Sequence, residues 1–380
     1  MHAIYPVSEP LGILVCARPG HPPFAESSYL HKLIQTGNQF DLRVVIFDPQ
    51  SWNPEDNTVQ GWTTDGKLSG WRVNKIKLPL LVYDRSWPIG STMRSRCKLA
   101  AQRLQAQRKL RFMNASLPSK WQVHAMLSKE PGLSRLMTPT ARYDGPHALL
   151  DWSARFGGSA FLKPSCGSQG KRTAAWLRQN DGTIRVRGRR ADNRSFDHIY
   201  TSEREATDRI HRWIGNRSYL MQPCLDLTAD GAPYDIRALV QKNGRGRWTL
   251  TGAAARIGAA DTVTANLHGG GAAAPAEQWL QSLYGADRSR ELMDEIRKAC
   301  LAIVRQLECR CGHFCELGLD FGVEHGGKLW FLEANSKPGR SAMASIDANA
   351  ATRAIARPLA YAKSILLRSP GRVIHEFDHL

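Results

Sequence analysis

Glu316-Leu-Gly-Leu-Asp320-Phe-Gly-Val323, Glu324-His-Gly-Gly-Lys328 and Leu329-Trp-Phe-Leu-Glu333-Ala-Asn335 follow one another without a break. Two apolar runs flank Gly326-Gly327, and paired glycines accept the positive φ of a two-residue turn, so the stretch predicts a β-hairpin. With Gly326 and Gly327 as the loop, His325 faces Lys328, and counting outward Asp320 faces Glu333. Side chains alternate along a strand. One face then carries Leu317, Leu319, Phe321, Val323, Trp330, Leu332 and Ala334 and is apolar. The other carries Gly318, Asp320, Gly322, Phe331, Glu333 and Asn335. Two carboxylates directly opposite repel unless a cation lies between them. Carboxylate and amide oxygens without His or Cys suit Mg²⁺, which is held by one or two carboxylates together with phosphate oxygens. The competing reading is a solvated outer face with chance acidic residues.

The chain has 380 residues, room for two or three subdomains around a sizeable core. Its 52 Lys and Arg against 34 Asp and Glu give a net charge of +18, which favours anionic partners without choosing among nucleotide, acidic peptide, polyanion and nucleic acid. The basic residues run through the whole chain, which argues against an appended nucleic-acid arm. Leu11 to Cys16 is apolar but short and follows Ser8-Glu9-Pro10, the wrong flank for a signal peptide. No run reaches the roughly 20 apolar residues of a membrane span. Eight cysteines in a chain this long are not a disulfide framework. These points predict a cytoplasmic protein. Cys309-Arg-Cys311-Gly-His313-Phe-Cys315 contains zinc-ligand types but no Cys-x-x-Cys pair and no second ligand pair, so buried or reduced thiols are expected.

From the N-terminus, strand–helix–strand signals at Leu11 to Cys16, Glu26 to Thr36 and Asp41 to Phe47 predict a small parallel sheet. No G-x-G-x-x-G follows the first strand, so no dinucleotide site is assigned. A hairpin is expected within Asp56 to Lys77. A strand from Leu78 ends in Asp84-Arg85, which either line a cleft or pair with each other or a neighbour. Cys97 to Phe112 reads as a basic helix whose charged face is either a polyanion-facing surface or simply solvated. Lys120 to Leu127 is a short helix. Ser159-Ala-Phe-Leu-Lys163-Pro164 is a strand running into Ser165-Cys-Gly167-Ser168-Gln-Gly170-Lys171-Arg172. Backbone N–H groups of such a loop can cradle phosphate, or it is a plain hairpin turn. It is not a Walker A loop: Ser165 stands where the first Gly belongs, and Arg172 where Ser or Thr belongs. Ile184 to Arg194 reads as a basic loop. Tyr219 to Leu225 is a strand. Asp235 to Gln241 and Trp248 to Arg256 form a hairpin that puts Arg237 and Arg256 on strands. Rigidly held arginines suit phosphate or carboxylate recognition, or they pair with carboxylates such as Asp235. Thr264-Ala-Asn266-Leu-His268-Gly-Gly-Gly271 permits close approach of a ligand. Asp287 to Leu307 is an amphipathic helix.

Phe161-Leu-Lys163-Pro164, Gly167-Ser168-Gln-Gly170, Asp235-Ile-Arg237, Asn266-Leu-His268-Gly-Gly270 and Leu332-Glu333-Ala-Asn335-Ser-Lys-Pro-Gly339, in that order, resemble the ATP-grasp fold. They are most similar to the YheC/YheD type, the endospore coat-associated proteins, from about Leu117 to Ser341. Ribosomal-protein glutamate ligases share the later motifs more loosely. The resemblance implies a mixed α+β and α/β chain: a small Rossmann-like N-terminal domain (1–115), a central subdomain with the phosphate loop (116–215) and a C-terminal subdomain with the metal hairpin (216–380). ATP would be clamped between the last two. Lys163 and Lys120 would bind its phosphates, and Gly167, Ser168 and Gly170 would form the phosphate loop. Gln222, Cys224 and Leu225 would be the hinge beside adenine. Asp320, Glu333 and Asn335 would hold Mg²⁺. Arg237, Lys163 and Asn266 would act on the transferring group. The activity implied is a Mg-ATP-dependent carboxylate–amine ligase working through an acyl phosphate, on an amino acid, peptide or protein, cytoplasmic or spore-associated. The segment departs from ligase relatives, which often carry Arg just before the Asn-Leu-His residues or a His-Arg-Gly-Gly run; here Thr264-Ala265 precedes and Gly269 follows. The rival readings are a catalytically silent structural protein of the spore coat, an ATP-grasp kinase, and a nucleic-acid binder whose affinity would fall with salt.

Overall fold

In the computed structural model, residues 9–64, 70–107, 109–167, 170–260, 262, 264–265 and 271–367 are described. The first strands are short, apolar and buried on both faces, the signature of a covered parallel sheet. β1 (Leu11–Leu14), α1 (Ser27–Gln39), β2 (Val44–Phe47), β3 (Thr58–Thr64), β4 (Trp71–Lys77), β5 (Leu81–Asp84), α2 (Gly90–Gln105) and β6 (Arg111–Phe112) build a sheet of order β4-β3-β2-β1-β5-β6. β2, β1, β5 and β6 are parallel, and the hairpin β3–β4 is added antiparallel. The basic helix expected from Cys97 to Phe112 lies earlier, at Gly90–Gln105, because the N–H groups of Arg111 and Met113 bond the Leu80 and Val82 carbonyls in the sheet instead. It buries Cys97 and Leu104 and exposes Arg94, Arg96, Lys98 and Arg103.

A second sheet follows from α3 (Lys120–Leu127), α4 (Pro131–Ser134), β7 (Ala141–Arg142), α5 (Pro146–Arg155), β8 (Ser159–Pro164), β9 (Thr173–Arg178), β10 (Ile184–Arg189), β11 (Ser195–Tyr200), α6 (Glu203–Ile214) and β12 (Tyr219–Gln222). Its order is β11-β10-β9-β8-β12-β7. The run taken as a basic loop is therefore strand β10 and the turn into β11. Ile184 and Val186 alternate with arginines, and their side chains fill an apolar cluster with Trp176, Ile210 and Tyr219. The third sheet contains β13 (Thr228–Ala229), β14 (Ala232–Lys242), β15 (Trp248–Ile257), β16 (Ala272–Pro275), β17 (Glu316–Val323) and β18 (Leu329–Asn335), in order β16-β15-β14-β17-β18 with β13 paired to β14. α7 (Ala276–Cys311), broken at Gly285 where φ is +79°, packs Leu292, Ile296, Ile303 and Leu307 against this sheet. α8 (Ser341–Ala344) and α9 (Ala348–Leu366) complete the chain, and Leu359, Tyr361 and Ile365 return to the core of the first sheet.

A buried charge network joins the first sheet to the start of β17. Arg85 pairs with Glu26 at 2.7 Å and with Glu316 at 3.3 Å, Arg340 also bonds Glu316, and Tyr83 donates its hydroxyl to the same carboxylate. Asp84 pairs with Lys337 at 2.8 Å rather than with Arg85. Burial alone would raise the Glu316 pKa, yet the Arg340 and Arg85 guanidinium groups hold it low. Breaking one member leaves the others charged and uncompensated. Glu316→Gln is expected to cost about 3–5 kcal/mol of stability, read as a lowered denaturant midpoint; a shift under about 1 kcal/mol would show that the network is not strained by losing its anion.

Candidate active site

The central hairpin is where the sequence places it, and Asp320 does lie opposite Glu333. The turn differs. Glu324 N–H bonds the Lys328 carbonyl (3.1 Å) and Gly327 N–H the Glu324 carbonyl (2.7 Å), so three residues form the loop and only Gly327, at φ +76°, uses glycine's freedom. That loop shifts the pairing by one, giving Val323 opposite Leu329 and Phe321 opposite Phe331. A β-bulge at Leu332 then shifts it back. The two irregularities cancel at the carboxylates but not between them. Phe331 lies on the apolar face, edge-on to Phe321 at 5.8 Å, and Trp330 on the polar one, donating to Glu324 at 2.7 Å. Both positions are the reverse of the expectation from strict alternation.

Four cations converge on the two carboxylates. β14 runs beside β17, which sets Arg237 opposite Asp320. The Arg237 guanidinium grips that carboxylate through Nε and, at 2.9 Å, Nη2. On β15, Arg256 binds Asp235 through two 2.6 Å bonds and reaches Asp320 at 2.9 Å. Lys120, the first residue of α3, follows Ser119, whose side chain forms a capping box with Gln122. Its Nζ lies 2.5 Å from Glu333 Oε2. Lys163, on β8 of the other sheet, is buried and donates to the carbonyl of the bulged Leu332 at 3.3 Å. Asn335 Nδ2 donates to Glu333 Oε1 at 3.3 Å.

These neighbours set the charges. Burial alone would raise the Glu333 pKa, but the Lys120 ammonium, then Lys163 and Arg237, hold it well below the carboxylate range. Burial pushes the Lys163 ammonium down to about 8, and Lys120 adds repulsion. Burial also raises Asp235 to about 6 against the opposing pull of Arg256, with Asp320 adding to the rise. Asp320, Glu333 and Asn335 together offer hard oxygen donors on one strand pair, a set that fits Mg²⁺. Among the described residues no three His, Cys, Asp or Glu side chains converge as a metal site.

Residues 109–365 match the family described as YheC/D-like ATP-grasp. The chain belongs to this family. It is 25% identical to the endospore coat-associated protein YheC of Bacillus subtilis over 333 residues, 85% of this chain and 88% of YheC. It is 27% identical to YheD of the same organism over 325 residues, 84% and 70% of the two chains. Among solved structures it resembles the D-Ala:D-Ser ligase VanG of Enterococcus faecalis at a TM-score of 0.55 and 11% identity, covering 94% of this chain and 100% of that one. The fold is ATP-grasp.

In this ATP-grasp chain the residues expected to form the hinge, Gln222, Cys224 and Leu225, fall where β12 ends. Gln222 lies opposite Phe161 and donates to Thr140 Oγ1 at 2.9 Å; Cys224 and Leu225 follow, half-buried. Burial pushes the Cys224 thiol up to about 12, which keeps it protonated and unreactive near neutral pH. Gly167 and Gly170 both take positive φ, and a Cβ on Gly170 would meet Thr264 Oγ1 at 2.9 Å. Ser168 and Asn266 lie outside the described residues. The cysteine cluster does not converge: Cys309 is exposed, Cys311 half-buried, Cys315 buried in the core of the first sheet, and all are free thiols. His313 bonds Tyr361 at 2.9 Å and Glu308 at 3.0 Å. Asp235 is the site residue that sequence reasoning treated only as a partner for arginine. Its signal was its place two residues before Arg237, on the same strand face.

Proposed function

We propose that the protein is a Mg-ATP-dependent ligase that joins a carboxylate to an amine through an acyl phosphate. One observation carries this reading. Asp320 and Glu333 stand opposite each other, ringed by Lys120, Lys163, Arg237 and Arg256 from four separate elements. Oxygen donors for a divalent cation and cations for phosphate oxygens are thus in one place, with neither excess charge exposed. On this proposal Asp320, Glu333 and Asn335 hold Mg²⁺, which neutralises phosphate charge when bound. Lys163 and Lys120 bind the phosphates beside the loop at Gly167, Ser168 and Gly170, and Gln222, Cys224 and Leu225 border the base. Arg237 and Asn266 steady the group in transfer. Arg237 and Arg256 grip carboxylates without ligand; a substrate carboxylate or phosphate would replace those partners.

The reaction balances as follows. A substrate carboxylate oxygen attacks the γ-phosphorus, and the bond to ADP breaks. An amine nitrogen then attacks the acyl carbon, phosphate leaves, and the nitrogen loses a proton. Preplaced cations along this path offset charge where it develops. The substrate is an amino acid, peptide or protein. The units would be 1–115, 116–215 and 216–380, and the place of action the cytoplasm or, by analogy with the naming of YheC and YheD, the spore. Among the described residues no helix is long and apolar enough to cross a membrane.

The test is turnover by full-length protein with Mg-ATP and panels of carboxylates and amines. ADP and phosphate release that requires a carboxylate is the expected result. AMP and pyrophosphate would replace this mechanism with adenylation. ADP without free phosphate would make the enzyme a kinase, and nucleotide binding without turnover would favour a silent coat protein.

A further inference from the structure

Strand β10 places Arg187 and Arg189 on the sheet face that carries Lys163, and among the described residues neither forms a close ion pair with a carboxylate. Pairing across the second sheet sets Gln222, Phe161, Ala175, Arg187 and Asp197 in one row. The neighbouring row carries Lys163 on β8, Thr173 on β9 and Arg189 on β10. Ile184 and Val186 fill the apolar core behind the sheet, so Arg185, Arg187 and Arg189 share the opposite face with Lys163 and Gln222.

Arg185 uses the one carboxylate on this row: its Nε and Nη2 hold Asp197 at 3.0 and 2.5 Å. Arg187 and Arg189 have no carboxylate within ion-pair distance among the described residues; the charge of Arg187 reaches Asp197 across the ladder and, after Arg185, helps hold that carboxyl low, whereas Arg189 has no such neighbour. Arg189 is 2% exposed, and its Nη1 donates to Asn193 Oδ1 at 3.1 Å. The Nε of each arginine is buried with no acceptor. The charge of Arg187 also reaches Cys224 at the hinge, where it opposes the effect of burial. A covered guanidinium N–H without an acceptor is costly, and a cation without a counter-ion more so. An anion in the cleft would remove both costs.

We propose that Arg187 and Arg189 are two further cations of the nucleotide cleft, holding the polyphosphate from the central sheet beside Lys163. This rests on the ATP-binding reading above. Strands lie about 4.8 Å apart, so Arg189 is two strands, about 10 Å, from Lys163. A long side chain at that spacing reaches phosphates seated at Lys163. The planar fork of arginine also matches phosphate oxygens in pairs.

The experiment compares wild type with Arg187→Met/Arg189→Met, and with Arg187→Lys/Arg189→Lys, by calorimetry with ATP, ADP and adenosine. The expected result is about a 10- to 100-fold loss of ATP and ADP affinity in the Met variant. Adenosine affinity should stay within about twofold, and the Lys variant should recover part of the loss. The unliganded Met variant should melt no lower than wild type, since it sheds uncompensated buried charge; a purely structural pair would lower it. Unchanged ATP and ADP affinity in the Met variant overturns the proposal and leaves the cleft reading standing. So does an equal loss for adenosine, or a lower melting temperature with loss of all binding. A wild type that binds no adenine nucleotide overturns the cleft reading, and this proposal with it.

Discussion

Glu333→Ala should abolish the Mg²⁺ dependence of ATP binding and lower the affinity measured with Mg²⁺ on the order of 100-fold. Glu333 is the carboxylate opposite Asp320, and Lys120 Nζ at 2.5 Å is its present counter-ion. Its loss has two consequences of opposite sign. The divalent site keeps only Asp320 and Asn335, and Asp320 is already gripped by Arg237 and Arg256. At the same time Lys120 loses its paired anion and Lys163 the carboxylate that most favours its charge, so the local potential becomes more positive. ATP without metal should therefore bind the variant at least as well as it binds the wild type. Calorimetry with and without Mg²⁺ separates the two effects. Equal Mg²⁺ dependence in wild type and variant would remove the hairpin as the metal site. Metal-free ATP weakened as much as Mg-ATP would mean that Glu333 supports the fold of the cleft rather than the ion.

Lys163→Met carries the second large effect, and its sign differs between stability and binding. Lys163 is buried, and burial with Lys120 nearby pushes its pKa down to about 8. Near pH 7 it is charged in the folded protein at a cost of about 3 kcal/mol. Removing it should raise the melting temperature of the unliganded protein by a few degrees and weaken ATP binding about 100-fold. The pH dependence follows. The unfolded chain keeps this proton up to its ordinary value near 10.5, whereas the folded chain releases it at about 8. Between those values the unfolded state binds more protons, so the group's contribution to stability rises with pH. That rise should be missing in Lys163→Met. Nucleotide phosphate favours the ammonium, so ATP affinity should fall as pH climbs above about 8. Binding there should take up a proton, measured by calorimetry in buffers of different ionisation enthalpy. A variant that melts lower than wild type, or an affinity flat across that range, would show that Lys163 is not a strained cation awaiting phosphate.

Much of the cleft was legible because local rules act at short range. Gly326-Gly327 between apolar runs specified a hairpin, and period-two alternation put Asp320 and Glu333 on one face. The short helix expected from Lys120 to Leu127 forms over those residues, held at its start by the capping box of Ser119 and Gln122. The arginines of β14 and β15 were placed on strands by their β-branched and apolar neighbours. What failed also has local causes. The loop at Gly327 is one residue longer than a two-glycine turn, and the bulge at Leu332 has no residue signature, so Trp330 and Phe331 were put on each other's faces. β10 alternates Ile184 and Val186 with arginines, but its charge reads as a loop unless the cleft that needs the charge is already known.

The sequence by itself determined the hairpin, the order of the motifs and the family to which they belong, since these depend on residues close together along the chain. Only the tertiary structure decided that Lys120, Lys163, Arg237 and Arg256 meet at one pair of carboxylates. Those cations come from α3, β8, β14 and β15, and their meeting is fixed by how two sheets close on each other. Pairing between residues far apart along the chain is set by the packing of whole faces, for which no single residue carries a signal.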